Sequence, residues 1–228
     1  MDIHYVNLDD CYHVSGAVVV IDVLRAFTTA AFAFHAGVTR ILLAGTIDQA
    51  FTIKESYPNA LLVGEVDGLP IPGFDFGNSP SGLDGLDLAG KMMIQRTSAG
   101  VQGVIRCQGA SHLLASSFVC AQATAECLRN LNPPEVTFVI TGFSGLREGD
   151  EDLACAEYIA VTLKGIQPNP APFLERVRQS YSGKLFSNSS SLDLPSVDLD
   201  YAVQVNRFPF AMQVSRQSDL LALERIFP

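Results

Sequence analysis

Four apolar runs in this chain each end on side chains able to do chemistry. After residues 17–21 (AVVVI) come Asp22 and Arg25, then the hydroxyls Thr28 and Thr29. Residues 61–64 lead into Glu65, and residues 91–95 (KMMIQ) lead into Arg96, Thr97, Ser98 and Gly100. Residues 136–141 (VTFVIT) lead into Gly142, Ser144, Gly145 and Arg147, then Glu148, Asp150, Glu151 and Asp152. The acids suit a hard cation: Mg²⁺ takes a few carboxylates and completes its shell with water and substrate oxygens. The arginines, hydroxyls and glycine amides suit phosphate or carboxylate. Together they suit metal-assisted phosphoryl or carboxyl chemistry. Each piece also has a plainer reading: Asp22 as a helix N-cap, 148–152 as helix-start charge, and Thr97 with Ser98 as capping hydroxyls.

Those positions need a scaffold that gathers them. The run 17–21 is β-branched and continuous, as in a strand buried on both faces. Leu24, Phe27, Ala31 and Phe34 then recur at helical spacing up to Gly37. Further strands are expected at 40–44, 61–64, 91–95, 112–115 and 136–141. Helices are expected from Thr46 to Ser56 and over 101–107, 119–131, 150–163, 173–181 and 218–226, with strand-like 201–205 and 210–214 before the last. Residues 68–90, rich in Gly and Pro, read as a functional excursion. The segment 208–212 (FPFAM) is core or a subunit contact. The alternation implies α/β with a substantially parallel sheet, as one domain over 1–228 or two intimately packed halves. In such sheets ligands bind outside the carboxyl ends of strands, where all four loaded stretches lie.

Composition narrows the choice of partner. The chain has 228 residues, 15 Lys+Arg against 24 Asp+Glu and a net charge of -9, so a nucleic-acid partner is not expected. No apolar run approaches the ~18 residues of a membrane span. Five cysteines without a CxxC pair, and an N-terminus unlike a secretory signal, fit a cytoplasmic protein. A homodimer is the default expectation for such an enzyme. Phosphate-loop, dinucleotide and nucleophile-elbow motifs are missing, and the four histidines lack metal-ligand spacing.

The collected motifs resemble those of the magnesium-dependent 2-phosphosulfolactate phosphatases, the ComB family. VVVIDVLRAFTTA over 18–30 is close to the family's first signature, and GEVDGLPIPGFDFGNSP over 64–80 is similar to its GERGG…GFDLGNSP block. QRTSAGVQG over 95–103 falls where many members carry a TTNGT-like loop, and 141–156 looks like the segment holding the Glu-Asp pair. Residues 200–214 look like the family's ending. The resemblance implies a three-layer α/β/α protein with a mixed, largely parallel sheet that hydrolyses the phosphate ester of a 2-hydroxy acid with Mg²⁺, in the family's namesake 2-phospho-3-sulfolactate on the route to coenzyme M. The partner would be a small anionic phospho-hydroxyacid.

On that resemblance Asp22, Arg25 and Glu65 are catalytic candidates. Asp22, Glu65 and Asp152 would hold the metal. Thr28, Asn78, Ser79, Arg96, Thr97, Ser98 and Arg147 would bind substrate or phosphate. The chain departs from the pattern at Val66 and Asp67, at Ala99 and Val101, and at Gly149 and Asp150. These changes cluster where selectivity is set. They leave open a phosphatase for another small phospho-carboxylate, or a non-catalytic anion-binding relative.

Overall fold

The apolar runs form a sheet with helices on both faces. The structure, a computed structural model, describes residues 1–144, 147–217 and 220–228, with the backbone alone for 143, 144, 147 and 148. In chain order the strands are β1 (Asp2–Asn7), β2 (Gly16–Ile21), β3 (Arg40–Leu43), β4 (Leu61–Val66), β5 (Leu69–Pro70), β6 (Phe76–Gly77), β7 (Met92–Arg96), β8 (Ala110–Ser116), β9 (Glu135–Ile140), β10 (Phe143–Ser144), β11 (Arg147–Glu148), β12 (Ala211–Gln217) and β13 (Leu220–Ile226). The helices are α1 (Ala26–His35), α2 (Ile47–Ser56), α3 (Gly100–Arg106), α4 (Ala121–Leu131), α5 (Asp150–Leu163), α6 (Ala171–Gln179), α7 (Tyr181–Ser187) and α8 (Val197–Ala202).

The main sheet runs β1-β9-β2-β8-β12-β13-β3-β7-β4-β5, with β6 beside β4. β1, β9, β2 and β8 form one parallel block, and β3, β7, β4 and β6 a second. The antiparallel hairpin β12–β13 joins them, pairing with β8 on one side and β3 on the other. This is the α/β class that the alternation implies, and the mixed, largely parallel sheet with helices on both faces that the family resemblance implies.

The continuous apolar run of β2 is explained by burial on both sides. Val18 and Val20 face a core shared with α1 and α3, whereas Ala17, Val19 and Ile21 face the core beneath α4 and α5. A third cluster packs α2, through Ala50 and Ile53, against Leu42, Leu62 and Ile94. Helix α1 buries nine of its ten residues, which makes it interior packing rather than a surface helix. It lies between the two parallel blocks: Gln95 of β7 donates to the Ala26 carbonyl at 3.0 Å. In α3, a Cβ on Gly103 would come 2.7 Å from Val20 of β2, so only a glycine lets this helix lie against that strand. Four strands separate β2 from β7 in the sheet order, yet α1 and α3 bring their carboxyl ends to one place.

Two expected elements are overturned. Residues 201–205 are not a strand, because α8 runs through Ala202 and the chain then turns at Asn206, where φ is 55°. Of the expected helix at 218–226, residues 218 and 219 lie outside the described residues and 220–226 are β13. LLALERI suits a helix by propensity, but pairing with β12 and with Ile41–Leu43 of β3 overrides that preference. Strand β1 and helix α7 were not anticipated. Phe208, Phe210 and Met212 are core, Phe208 meeting Phe32 edge-on at 5.0 Å. All five cysteines are free and buried, and no helix among the described residues is long and apolar enough to cross a membrane.

Candidate functional site

β2 ends at Asp22, whose carboxylate turns back onto the start of α1. Its Oδ1 accepts from the Ala26 amide at 2.9 Å, and the Gly100 amide at the start of α3 also donates to the carboxylate. A Cβ on Gly100 would lie 2.7 Å from Asp22 Oδ2 and 2.8 Å from the Ala26 side chain. Gly100 is therefore a close-approach position, not a turn. Burial pushes the Asp22 carboxyl up to about 6; repulsion from Glu65 and Glu151 adds to this, and the two amide hydrogen bonds oppose it.

β4 delivers Glu65. Gly64, at φ 151°, passes so close to β7 that a Cβ would sit 1.9 Å from the Arg96 carbonyl, which sets Glu65 beside the 97–100 turn. Glu65 accepts from the Ser98 amide on Oε1 and from the Gly68 amide on Oε2, both at 2.6 Å. Ser98 Oγ also donates to Oε2 at 3.3 Å, and itself accepts from the Asp67 amide and Arg96. Glu65 is thus a fixed carboxylate with both oxygens oriented.

Asp22, Arg25, Glu65, Asp67, Asn78 and Ser98 form the polar wall of a cleft of about 120 Å³. Asn78 is 5% exposed and its Oδ1 has no hydrogen-bond partner. Such a buried acceptor calls for a donor or a cation. Arg25 is 4% exposed and its peptide bond to Leu24 is cis. Its Nη1 donates to Asp198 Oδ2 at 2.9 Å and to the Asp193 carbonyl at 3.2 Å, while Nη2 donates to the Gly68 carbonyl at 3.3 Å. A larger surface hollow, about 640 Å³ between 56–60 and 89–92, has Lys91 as its only charged side chain and no acids.

The remaining expected site residues serve the framework. Asp152 is spanned by backbone: Val23 N donates to Oδ1 at 2.8 Å, and Gly142 N to Oδ2 at 2.7 Å. It ties the ends of β2 and β9 together, and burial raises its carboxyl well above the usual range, with Asp22 and Glu151 adding to the rise. Among the described residues no three His, Cys, Asp or Glu side chains are grouped to hold one metal ion; of the three acids expected to do so, Asp22 and Glu65 line the cleft, whereas the Asp152 oxygens accept from Val23 N, Gly142 N and Thr141 Oγ1. Thr28 donates to the Val23 carbonyl at 2.7 Å, and Thr97 Oγ1 caps α3 by accepting from Val101 N at 3.0 Å. Ser79 donates to Asp198, and Arg96 donates to the Glu65 carbonyl and Ser98. These four do not line the cleft. Arg147 lies in β11, and its side chain is outside the described residues.

Of two further residues at the site, the sequence marks Glu151 as one acid of the helix start and of the Glu-Asp motif without a role of its own, and Asp198 escapes it. Glu151 is 3% exposed, accepts from Ser182 Oγ at 2.6 Å and faces Asp22 electrostatically, one position from the acid expected there. Asp198 carries no local motif at all; only the return of α8 across the cleft reveals it.

Mg²⁺ takes one or two carboxylates with water and substrate oxygens, and Asp22 with Glu65 is such a pair. A carboxyl such as Asp22, which burial and the nearby Glu65 drive toward protonation, is what a divalent cation relieves. The donor set fits the ion.

Comparison with known proteins agrees with the motifs. The sequence profile of the family described as 2-phosphosulpholactate phosphatase matches residues 4–217. A Bacillus subtilis (strain 168) protein named probable 2-phosphosulfolactate phosphatase is 35% identical over 209 residues, covering 91% of each chain. A Thermus thermophilus protein of the same name is 31% identical over 210 residues, 88% of this chain and 85% of that one. One from Deinococcus radiodurans is 38% identical over 149 residues, 65% of this chain and 62% of its own.

Proposed function

Because this chain belongs to the 2-phosphosulfolactate phosphatase family, we propose that it hydrolyses the phosphate ester of a 2-hydroxy acid with Mg²⁺, 2-phospho-3-sulfolactate being the first candidate. The observation that carries the reading is the buried pair Asp22 and Glu65, each oriented by two backbone amides, beside the unpartnered Asn78 Oδ1 in a small cleft. Asp22 and Glu65 would hold Mg²⁺, which when bound neutralises phosphoryl charge and polarises its oxygens.

The chain's own groups do the rest. The Ala26 and Gly100 amides fix the Asp22 carboxylate at the cleft floor. The edge of Arg25 offers donors to an anionic substrate, and Asn78 Oδ1 accepts a hydrogen from a substrate hydroxyl or a water. The nucleophile is water or the Asp22 carboxylate itself.

A second reading has its own support. Leu24, Leu185, Phe186 and Leu194 form an apolar wall, and the one guanidinium lining the cleft among the described residues is already paired with Asp198. That wall favours a phospho-carboxylate with an uncharged tail over one bearing a sulfonate. Phosphate release from a panel of 2-phospho-hydroxyacids, with Mg²⁺ and with chelator, tests both. Turnover of 2-phosphosulfolactate above the others supports the first candidate. Preference for phospholactate-like esters supports the second, and tight phosphate binding with no turnover of any ester defeats both in favour of a non-catalytic relative.

A further inference from the structure

Asp198 lies on α8, in the last fifth of the chain, and its side chain is wholly buried. One oxygen, Oδ2, accepts from Arg25 Nη1 at 2.9 Å. The other, Oδ1, accepts from Ser79 Oγ at 2.8 Å, from the Ser81 amide at 3.1 Å and from Ser81 Oγ at 2.5 Å. A single carboxylate therefore joins the two polar walls of the cleft: Arg25 after β2, and the 78–81 loop that presents Asn78. The Arg25 guanidinium is further clamped by the Asp193 and Gly68 carbonyls and lies 4.9 Å from the Phe186 ring centre.

A buried ion pair is a weak source of stability relative to apolar packing, and its best-attested value is in fixing geometry. Here it fixes groups that face the cleft. We propose that Asp198 is a positioning residue of the active site, acting through Arg25 to aim the guanidinium edge at the substrate's anion, with the 78–81 loop held in register by the same carboxylate. This role rests on the phosphatase reading of the cleft but is separable from it by experiment.

The test is a double-mutant cycle on the full chain: wild type, Asp198→Asn, Arg25→Gln and the double variant. kcat and KM are measured for 2-phosphosulfolactate, and Kd for inorganic phosphate in the presence of Mg²⁺. Misaiming a binding group by about an ångström costs roughly 10²-fold, so each single variant is expected to lose about 10- to 100-fold in kcat/KM. The two are expected to divide that loss between kcat and KM in the same way, and the double variant is expected within about twofold of Arg25→Gln. Additive losses, or Asp198→Asn within about twofold of wild type, overturn the role.

If Asp198→Asn alone does not fold, the double variant removes both charges together; folding with the activity of Arg25→Gln supports the pairing, and failure to fold beside a folded Arg25→Gln overturns it. If wild type hydrolyses none of the esters, the phosphatase reading fails, and the same cycle read on phosphate affinity still decides on Asp198.

Discussion

Replacing Asp22 by Asn tests both the chemistry and the electrostatics of the cleft. In the folded protein the carboxyl sits at about 6 instead of 3.8, because burial and the neighbouring acids disfavour its charge. Between those values the native state binds more protons than the unfolded chain, so this group's contribution to stability is whole below about pH 4 and is lost as pH rises through about 6. At 1.36 kcal/mol per pH unit the loss is about 3 kcal/mol by neutral pH. Denaturant unfolding in chelator should therefore show wild type losing about 3 kcal/mol relative to Asp22→Asn between pH 4 and 7. Comparing the pH dependence of the two proteins, not their absolute stability, removes whatever the Asn loses in its hydrogen bond to Gly100.

Mg²⁺ at one hundred times its Kd should add about 2.7 kcal/mol to wild type at pH 7 and little to the variant. Phosphate release by the variant should fall by roughly 10²–10³-fold or more while the fold is kept. Parallel stability–pH curves would refute the crowding argument. Turnover near the wild-type rate would refute the role of Asp22.

Gly100→Ala would drive a methyl to 2.7 Å from Asp22 Oδ2, so it should cost about 1–3 kcal/mol and at least tenfold in kcat, read by unfolding and phosphate release. Asp152→Ala strands the buried Val23 amide and the half-buried Gly142 amide and should lower stability by about 2–5 kcal/mol, while calorimetry finds Mg²⁺ affinity of the folded protein near wild type. An affinity loss as large as that of Asp22→Asn would restore Asp152 to the metal. Hydrolysis of an ester made chiral at phosphorus with oxygen isotopes separates the two nucleophiles: retention of configuration marks two displacements through an aspartyl phosphate, and inversion marks direct attack by water.

Much of the site's location was legible because each loaded residue follows an apolar run that could only be a buried strand. Asp22 and Glu65 lie at the carboxyl ends of β2 and β4, as such runs imply. What misled was treating every polar residue near a strand end as a ligand-facing group. Thr97 and Thr28 had the right type and spacing, yet their nearest unpaired partners were backbone groups, and capping took them. The partners of Asp152 were illegible for a related reason: in local sequence, Glu151 and Asp152 are indistinguishable acids at a helix start. The helix twist of about 100° per residue sends one toward Ser182 and the other onto two backbone amides.

By itself the sequence determined the α/β class, the strands that end in acids, the excursion carrying Asn78 and the family to which the chain belongs. Each is a matter of periodicity or short motif, which neighbouring residues fully express. Only the tertiary structure decided which oxygens remain free in the cleft. It turned LLALERI from a helix into the strand that links the two parallel blocks, and it carried Asp198 across 173 positions to Arg25. Those outcomes depend on which donors and acceptors meet in space, and a buried carboxylate takes the partners that folding brings to it, wherever in the chain they lie.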